Sequence, residues 1–451
     1  MIALILCVAA LAISFAAGRR SLAAGLIAVL GVGYFYGILR ANLPSALSLF
    51  IFDSAALGLF AAQLPRRLSD EDRARIRRLT PWLTMLIGWP VLLLLIPNQD
   101  PMVRMVGLRA SIFLLPFVFL GARLHREDVH RLTLWLAGFN LVALAFGTVE
   151  FLIGIEPFFP RNAVTELIYR SNDVNTGTLL GGYRIPATFA NSASYAGMMV
   201  ITTPFFLGLW PQVGGRPWTR RLLGAALVAC VLGVFMAASR SNFLVLLILL
   251  VVSTFRGRLG AAGLAAWTVS IGALAWTVAA NERLFARFMS LSLDTFVERL
   301  SWSVNEGFIK LAFAYPLGNG LGGGGSSMPY FLQPLIRNPI AIENQYGAIL
   351  VEQGIPGLVI WVAFLLWVFA RRTTPRGDPW RLGRSLAWYG CAAYFGLGLI
   401  GVGTLTSVPF SVVLLLLLGW ISVPQSELVG PPLPHPEQRP TAPRTPDYQR
   451  V

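Results

Sequence analysis

Charge is scarce in this chain. Of its 451 residues, 13% are Asp, Glu, Lys or Arg and 55% are hydrophobic, and the mean hydropathy is +0.65. A soluble domain cannot hide that much apolar surface, whereas lipid solvates it, so a soluble fold is excluded. Acidic residues are scarcer than basic ones, 21 against 36, which leaves a formal net charge of +15. The surplus does not point to nucleic acid, because the arginines stand in short clusters between apolar runs, as membrane topology is written. Cysteine is nearly absent. Cys7, Cys230 and Cys391 each fall inside an apolar run, which suits packing and excludes a disulfide framework. Histidine numbers three: His125 and His130 share one connector and His435 lies near the C-terminus. No Cys/His/Asp cluster suggests a bound metal, and no cofactor is expected. Nor is there the internal repeat common among transporters.

What is present is a succession of apolar runs. At about 20 residues per span, they predict an all-α polytopic membrane protein of 12–13 helices, near 2–18, 21–39, 45–64, 81–96, 107–122, 132–155, 188–209, 222–238, 241–255, 259–279, 342–370, 385–402 and 406–423. The first run has no basic region before it, since Arg19 and Arg20 follow it, so it reads as a retained span. The connectors alternate in charge. One side holds 21 Lys/Arg in short clusters, and the other holds 12 over longer segments. The positive-inside rule puts the clustered side in the cytoplasm, with the N-terminus outside and the C-terminus inside.

Two outward segments, 156–187 and 281–341, exceed simple connectors. Within the second, 293-LDTFVERLSWSVNEGFIKLAFAYP-316 has apolar residues at helical spacing beside Arg299, Glu306 and Lys310, and reads as an amphipathic helix on the outer face. The chain thus divides into one transmembrane domain, 1–423, and a Pro-rich tail, 424–451, expected to be disordered and cytoplasmic.

This topology gathers ionisable groups at the outer side: Arg184 in 181-GGYRIPATFANSASYAG-197, Arg240 in the tight turn 237-AASRSN-242, and Glu343 in 342-IENQYGAILVEQGIPG-357. Asp53, Glu150 and Glu352 lie deeper. Intramembrane charge is costly and is a functional candidate by default. The plainer readings are a snorkelling Arg240, a solvated Arg184, and Asp53 and Glu150 neutral or hydrogen-bonded within the bundle. Glu352 follows Glu343 by nine residues and faces roughly the opposite way on a regular helix, which suits a packing role. The loop 318-GNGLGGGGSS-327 matches GxGxxG but lacks a strand–turn–helix unit, so it reads as a flexible loop at a cavity mouth.

At these residues the sequence resembles the bacterial O-antigen ligase and O-antigen polymerase superfamily. The likeness rests on Arg184, Thr188, Phe189 and Asn191, on Ser239-Arg240-Ser241, on Pro316 to Gly320, and on the segment opened by Glu343. The resemblance implies metal-independent, inverting glycosyl transfer at the periplasmic face of a bacterial inner membrane. The donor would be a polyprenyl-diphosphate-linked oligosaccharide and the acceptor a saccharide or lipid. A chain-length regulator or other export protein is a possible partner, and nucleic acid is not. Arg184 and Arg240 match the family's arginines, with Arg299 a weaker third; Asn191, Asn344 and Tyr346 stand at substrate-binding positions. Ligases of the superfamily read His-Asn-x-Tyr where this chain has Glu343-Asn344-Gln345-Tyr346, which favours a polymerase over a ligase. Two readings of Glu343 stay open: activation of the acceptor hydroxyl, and capping of a helix N-terminus. The rival class is a transporter or flippase of lipid-linked sugar.

Overall fold

The computed structural model describes residues 1–166, 168–169, 184–257, 272, 297–298, 300–301, 308–325, 328–329, 331–340, 342, 344–371 and 377–423. Twelve of the thirteen predicted runs are helical; of the run near 259–279 only residue 272 is described. The elements are α1 (Ile2–Arg20), α2 (Leu22–Asn42), α3 (Ile51–Gln63), α4 (Asp70–Arg77), α5 (Thr80–Leu93), α6 (Pro101–Ile112), α7 (Pro116–Ala122), α8 (Arg126–Ile153), α9 (Ser192–Leu209), α10 (Pro217–Met236), α11 (Arg240–Gly257), α12 (Lys310–Ala314), α13 (Gln345–Ala370), α14 (Arg381–Leu397) and α15 (Phe410–Ser422). Among the described residues, eight helical segments are long and apolar enough to cross a membrane, and α5 and α15 are shorter apolar helices. The described residues therefore form a polytopic, all-helical membrane protein.

Of the predicted amphipathic helix at 293–316, the described residues include α12 at its end; Arg299 and Glu306 lie outside them, as do Glu343 and the tail 424–451. Three boundaries differ from expectation. The run 107–122 is two helices, because Pro116 has no N–H to continue α6 and the chain turns through Leu115 to Ile112 (3.1 Å) instead. The run from 188 becomes helical only at Ser192, after the Asn191 cap. The last long run starts at Gln345 and breaks at Gly354.

Two helices form the interior. Buried residues make up 94% of the apolar window containing α9, against 28% for α1. All thirteen residues of α15 are buried. Lipid is as apolar as leucine, so helices in a bundle adhere by close backbone approach at small residues. Gly121 of α7 and Gly419 of α15 supply it: a Cβ on either would lie 2.0 Å from the Leu416 carbonyl oxygen or 1.9 Å from that of Val118.

The arginine-rich connectors converge at one end. Arg66 donates to the Arg19 carbonyl, Arg123 to Gln63 Oε1 (3.1 Å) and Arg75 to the Leu124 carbonyl (3.3 Å). Arg384 lies 3.0 Å from Asp378 and donates to the Trp420 carbonyl. His125 and Asp72 meet at 3.3 Å beside Arg123. Burial alone would raise the Asp72 carboxyl, but the hydrogen bond to His125 and the Arg123 charge outweigh it and lower its pKa. The same hydrogen bond raises His125 against burial.

Gly419→Val is expected to destabilise the fold by roughly 1–3 kcal/mol or more, since backbone rather than a flexible side chain must move. Loss of a monodisperse detergent peak checks this, with Gly88→Ala, where a Cβ meets nothing within 4 Å, as control. The Asp72–His125 contact predicts a pH window. The Asp72 contribution is present above its ordinary value of 3.8 and is lost as pH falls through the lowered folded pKa. The His125 contribution is whole below 6.5 and is lost as pH rises through the raised folded pKa. Thermal stability should therefore decline above pH 6.5 by under about 1 kcal/mol, and His125→Gln should flatten that decline.

Candidate functional site

The residues that carry the resemblance meet at the arginine-poor end. Segment 184–191 is wedged among α2, α8 and α10. Ile185 donates to the Met236 carbonyl (3.2 Å), and Arg184 Nε donates to that of Ala237 (3.1 Å). On the α2 side, Ile38 donates to the Thr188 carbonyl (3.1 Å). Gly37 admits the segment, because a Cβ there would lie 1.9 Å from the Phe189 carbonyl carbon. The Phe189 ring packs between Tyr34 and Tyr195, with centroids 5.2 and 5.6 Å away. Asn191 ends the segment as the N-cap of α9, accepting from the Ser194 amide at 2.7 Å.

Glu150 of α8 holds this segment from below. Its Oε2 accepts from the Ala187 amide at 2.8 Å, while Oε1 is buried without a hydrogen-bond partner. The Tyr195 hydroxyl nearby is likewise buried without one. Ala187 has φ +51°, in the left-handed region that disfavours residues with a Cβ. The Glu150 bond therefore helps to fix a strained backbone three residues after Arg184. Ala238, two residues before Arg240, is also in that region at φ +45°. Among the described non-glycine residues only Asn338 shares it. Strain of this kind persists where surrounding contacts over-determine the backbone, and it gathers at functional sites.

The turn 237–239 joins α10 to α11 as tightly as the sequence suggests. Asn242 donates to Ser239 Oγ (2.8 Å) and accepts from the Tyr394 hydroxyl (2.7 Å). One residue further along α14, the Phe395 carbonyl accepts from the Tyr346 hydroxyl at 2.8 Å, and the Gly398 carbonyl accepts from the Gln345 amide at 2.8 Å. The last turn of α14 thus ties the Arg240 hairpin to the start of α13. Asn344 caps α13 through its side-chain oxygen, which accepts from the Gly347 amide. Asn191, Asn344 and Tyr346 all use side-chain oxygens to frame the site. Glu343 and Arg299 lie outside the described residues.

The glycine loop is not the flexible mouth expected from its composition. Asn319 is 8% exposed and Leu321 fully buried, and Asn319 donates to the Arg337 and Asn338 carbonyls at 3.2 and 3.1 Å. Gly318, Gly320, Gly322 and Gly325 all have positive φ, so the glycines serve a fixed path rather than mobility. The path repairs the break in α13. In a regular helix the Ile355 amide would bond the Val351 carbonyl. Here Val351 accepts from the Asn319 amide (2.6 Å), and Ile355 donates to the Pro316 carbonyl (2.9 Å). Trp89 Nε1 covers the Gln353 carbonyl at 2.8 Å.

From Asn344 and Tyr346 a cleft of about 540 Å³ runs between α13 and α14. Tyr346–Phe395 contact marks one end. At the other, Trp388 Nε1 donates to the Phe369 carbonyl at 3.2 Å. Between them the wall is almost wholly apolar, including Leu358, Val362 and Leu366.

Asp53 is hydrogen-bonded within the bundle, as expected, and its partner is a charged one: Arg109 grips it bidentately, both contacts at 2.5 Å. In sequence Arg109 is one topological charge among many, and nothing local marks Asp53 as its partner. Glu150 does hydrogen-bond within the bundle, but to the backbone of the Arg184 segment, a long-range contact with no sequence signal. No family model and no curated protein matches the chain.

Glu150→Leu should leave the Ala187 amide unpaired and cost about 1–3 kcal/mol. Glu150→Gln retains an acceptor and should cost less. Thermal melting of the purified variants checks the order.

Proposed function

We propose that the protein is a membrane glycosyltransferase that polymerises polyprenyl-diphosphate-linked oligosaccharide at the periplasmic face of a bacterial inner membrane, in surface polysaccharide synthesis. The observation that carries this reading is the meeting of the Arg184 segment, the Arg240 hairpin, the glycine loop and the start of α13 at one end of the bundle. The apolar cleft beside Tyr346 suits a donor with a long hydrocarbon tail.

In this mechanism the acceptor hydroxyl oxygen attacks the anomeric carbon and its proton passes to Glu343. The bond to the diphosphate oxygen breaks with inversion. Arg184 and Arg240 hold the departing diphosphate, since fixed guanidinium groups stabilise charge as it develops. The donor carries its own activation, so neither nucleotide nor metal is needed outside the cytoplasm. Arg299 is assigned to the donor as a further cation. Asn191, Asn344 and Tyr346 act at substrate level through the positions of the chain they hold.

The break in α13 favours one second reading, a carrier of lipid-linked saccharide, because discontinuous helices recur in transporters. Deleting the gene separates the two. A polymerase mutant accumulates the single-unit saccharide-lipid on the outer leaflet, and a carrier mutant on the inner. Complementation with Arg184→Ala or Arg240→Ala should lower polymer by about 10²–10³-fold at normal protein level. Normal polymer length from either variant would reject the diphosphate role.

A further inference from the structure

Glu352 lies two residues before the α13 break and is 7% exposed. Its Oε1 is buried with no hydrogen-bond partner. The backbone amides of Gly322 and Gly324 face the carboxyl from the glycine loop. Beside it is a small, partly open space of about 40 Å³, whose oxygen-bearing walls are Ser111, Gln345, Glu352, Gln353 and Thr406. A buried space of ~10–15 Å³ already accepts one water, so there is room for a small ion.

The chemistry of the wall selects the occupant. A carboxyl this deep stays ionised only beside a compensating charge, and no basic side chain is ion-paired with it among the described residues. The remaining polar walls are neutral oxygens. Gln353 donates through Nε2 to Ser111 Oγ at 3.4 Å, and Gln345 Oε1 already accepts from the Gly403 amide at 3.2 Å. One formal negative charge among neutral oxygens suits a monovalent cation. Among the described residues there is no group of three or more His, Cys, Asp or Glu such as a multivalent metal would use. The site lies where a helix is interrupted, the setting in which membrane proteins place alkali-ion sites.

We propose that Glu352, Ser111, Gln353 and Thr406 bind a single Na⁺ ion. The ion joins α13, the end of α6 and the segment before α15, and completes the anchoring of the glycine loop across the break.

The test uses the purified full-length chain in detergent at constant ionic strength. Melting temperature should rise by several degrees when NaCl replaces choline chloride, KCl should do less, and equilibrium dialysis with radioactive Na⁺ should give one ion per chain. Glu352→Gln should abolish both responses. If that variant does not fold, Thr406→Val carries the test, with the half-saturating Na⁺ concentration expected to rise about tenfold. Equal melting in all three salts, a KCl response as large as that of NaCl, a Na⁺ response surviving Glu352→Gln, or an unchanged midpoint in Thr406→Val would each overturn the site.

Discussion

A helix that breaks inside a membrane strands backbone groups that lipid cannot satisfy. At Gly354 the chain meets this constraint with another piece of itself. The Val351 carbonyl and the Ile355 amide, freed by the break, are taken by the Asn319 amide and the Pro316 carbonyl. The glycine loop is arranged around that repair. The glycine loop must approach α13 closely, which requires positive φ at several glycines. Its amides at Gly322 and Gly324 then face Glu352. The charge that looked anomalous in an apolar run thus belongs to the machinery that makes an interrupted helix tolerable.

The two arginines of the candidate site are held by the same logic of backbone satisfaction, applied to strained residues. Ala187 and Ala238 adopt conformations that alanine disfavours, and contacts from other parts of the chain keep them there: Glu150 on the Ala187 amide, and Arg184 on the Ala237 carbonyl beside Ala238. The diphosphate site we propose would gain from such rigidity, because guanidinium groups stabilise developing charge only when they need not move to do so. The neutral caps Asn191 and Asn344 serve the same end by starting α9 and α13 at defined positions.

Much of the architecture was legible. Twelve of thirteen apolar runs are helices, and the tight turn at 237–239 follows from having no room for anything longer. The arginine clusters gather at one end through contacts such as Arg66 with Arg19 and Arg75 with Leu124. The failures have a common cause. Hydropathy predicts a continuous helix over 107–122 because it does not register the missing donor of Pro116. Composition predicts a flexible glycine loop because it reports conformational freedom and not whether a partner uses it.

Composition and the spacing of apolar runs by themselves determined that this is a many-helix membrane protein, because solvation in lipid depends on local hydrophobicity summed over some twenty residues. Side-chain chemistry also singled out Arg184, Arg240 and the intramembrane carboxylates, since charge is costly wherever the run folds. Only the tertiary structure decided what each charge does. Asp53 with Arg109, Glu150 with Ala187, and Glu352 with Gly322 and Gly324 of the glycine loop are partners 28 to 56 residues apart. Such pairings depend on which helices stand side by side, and no local pattern in the chain encodes that.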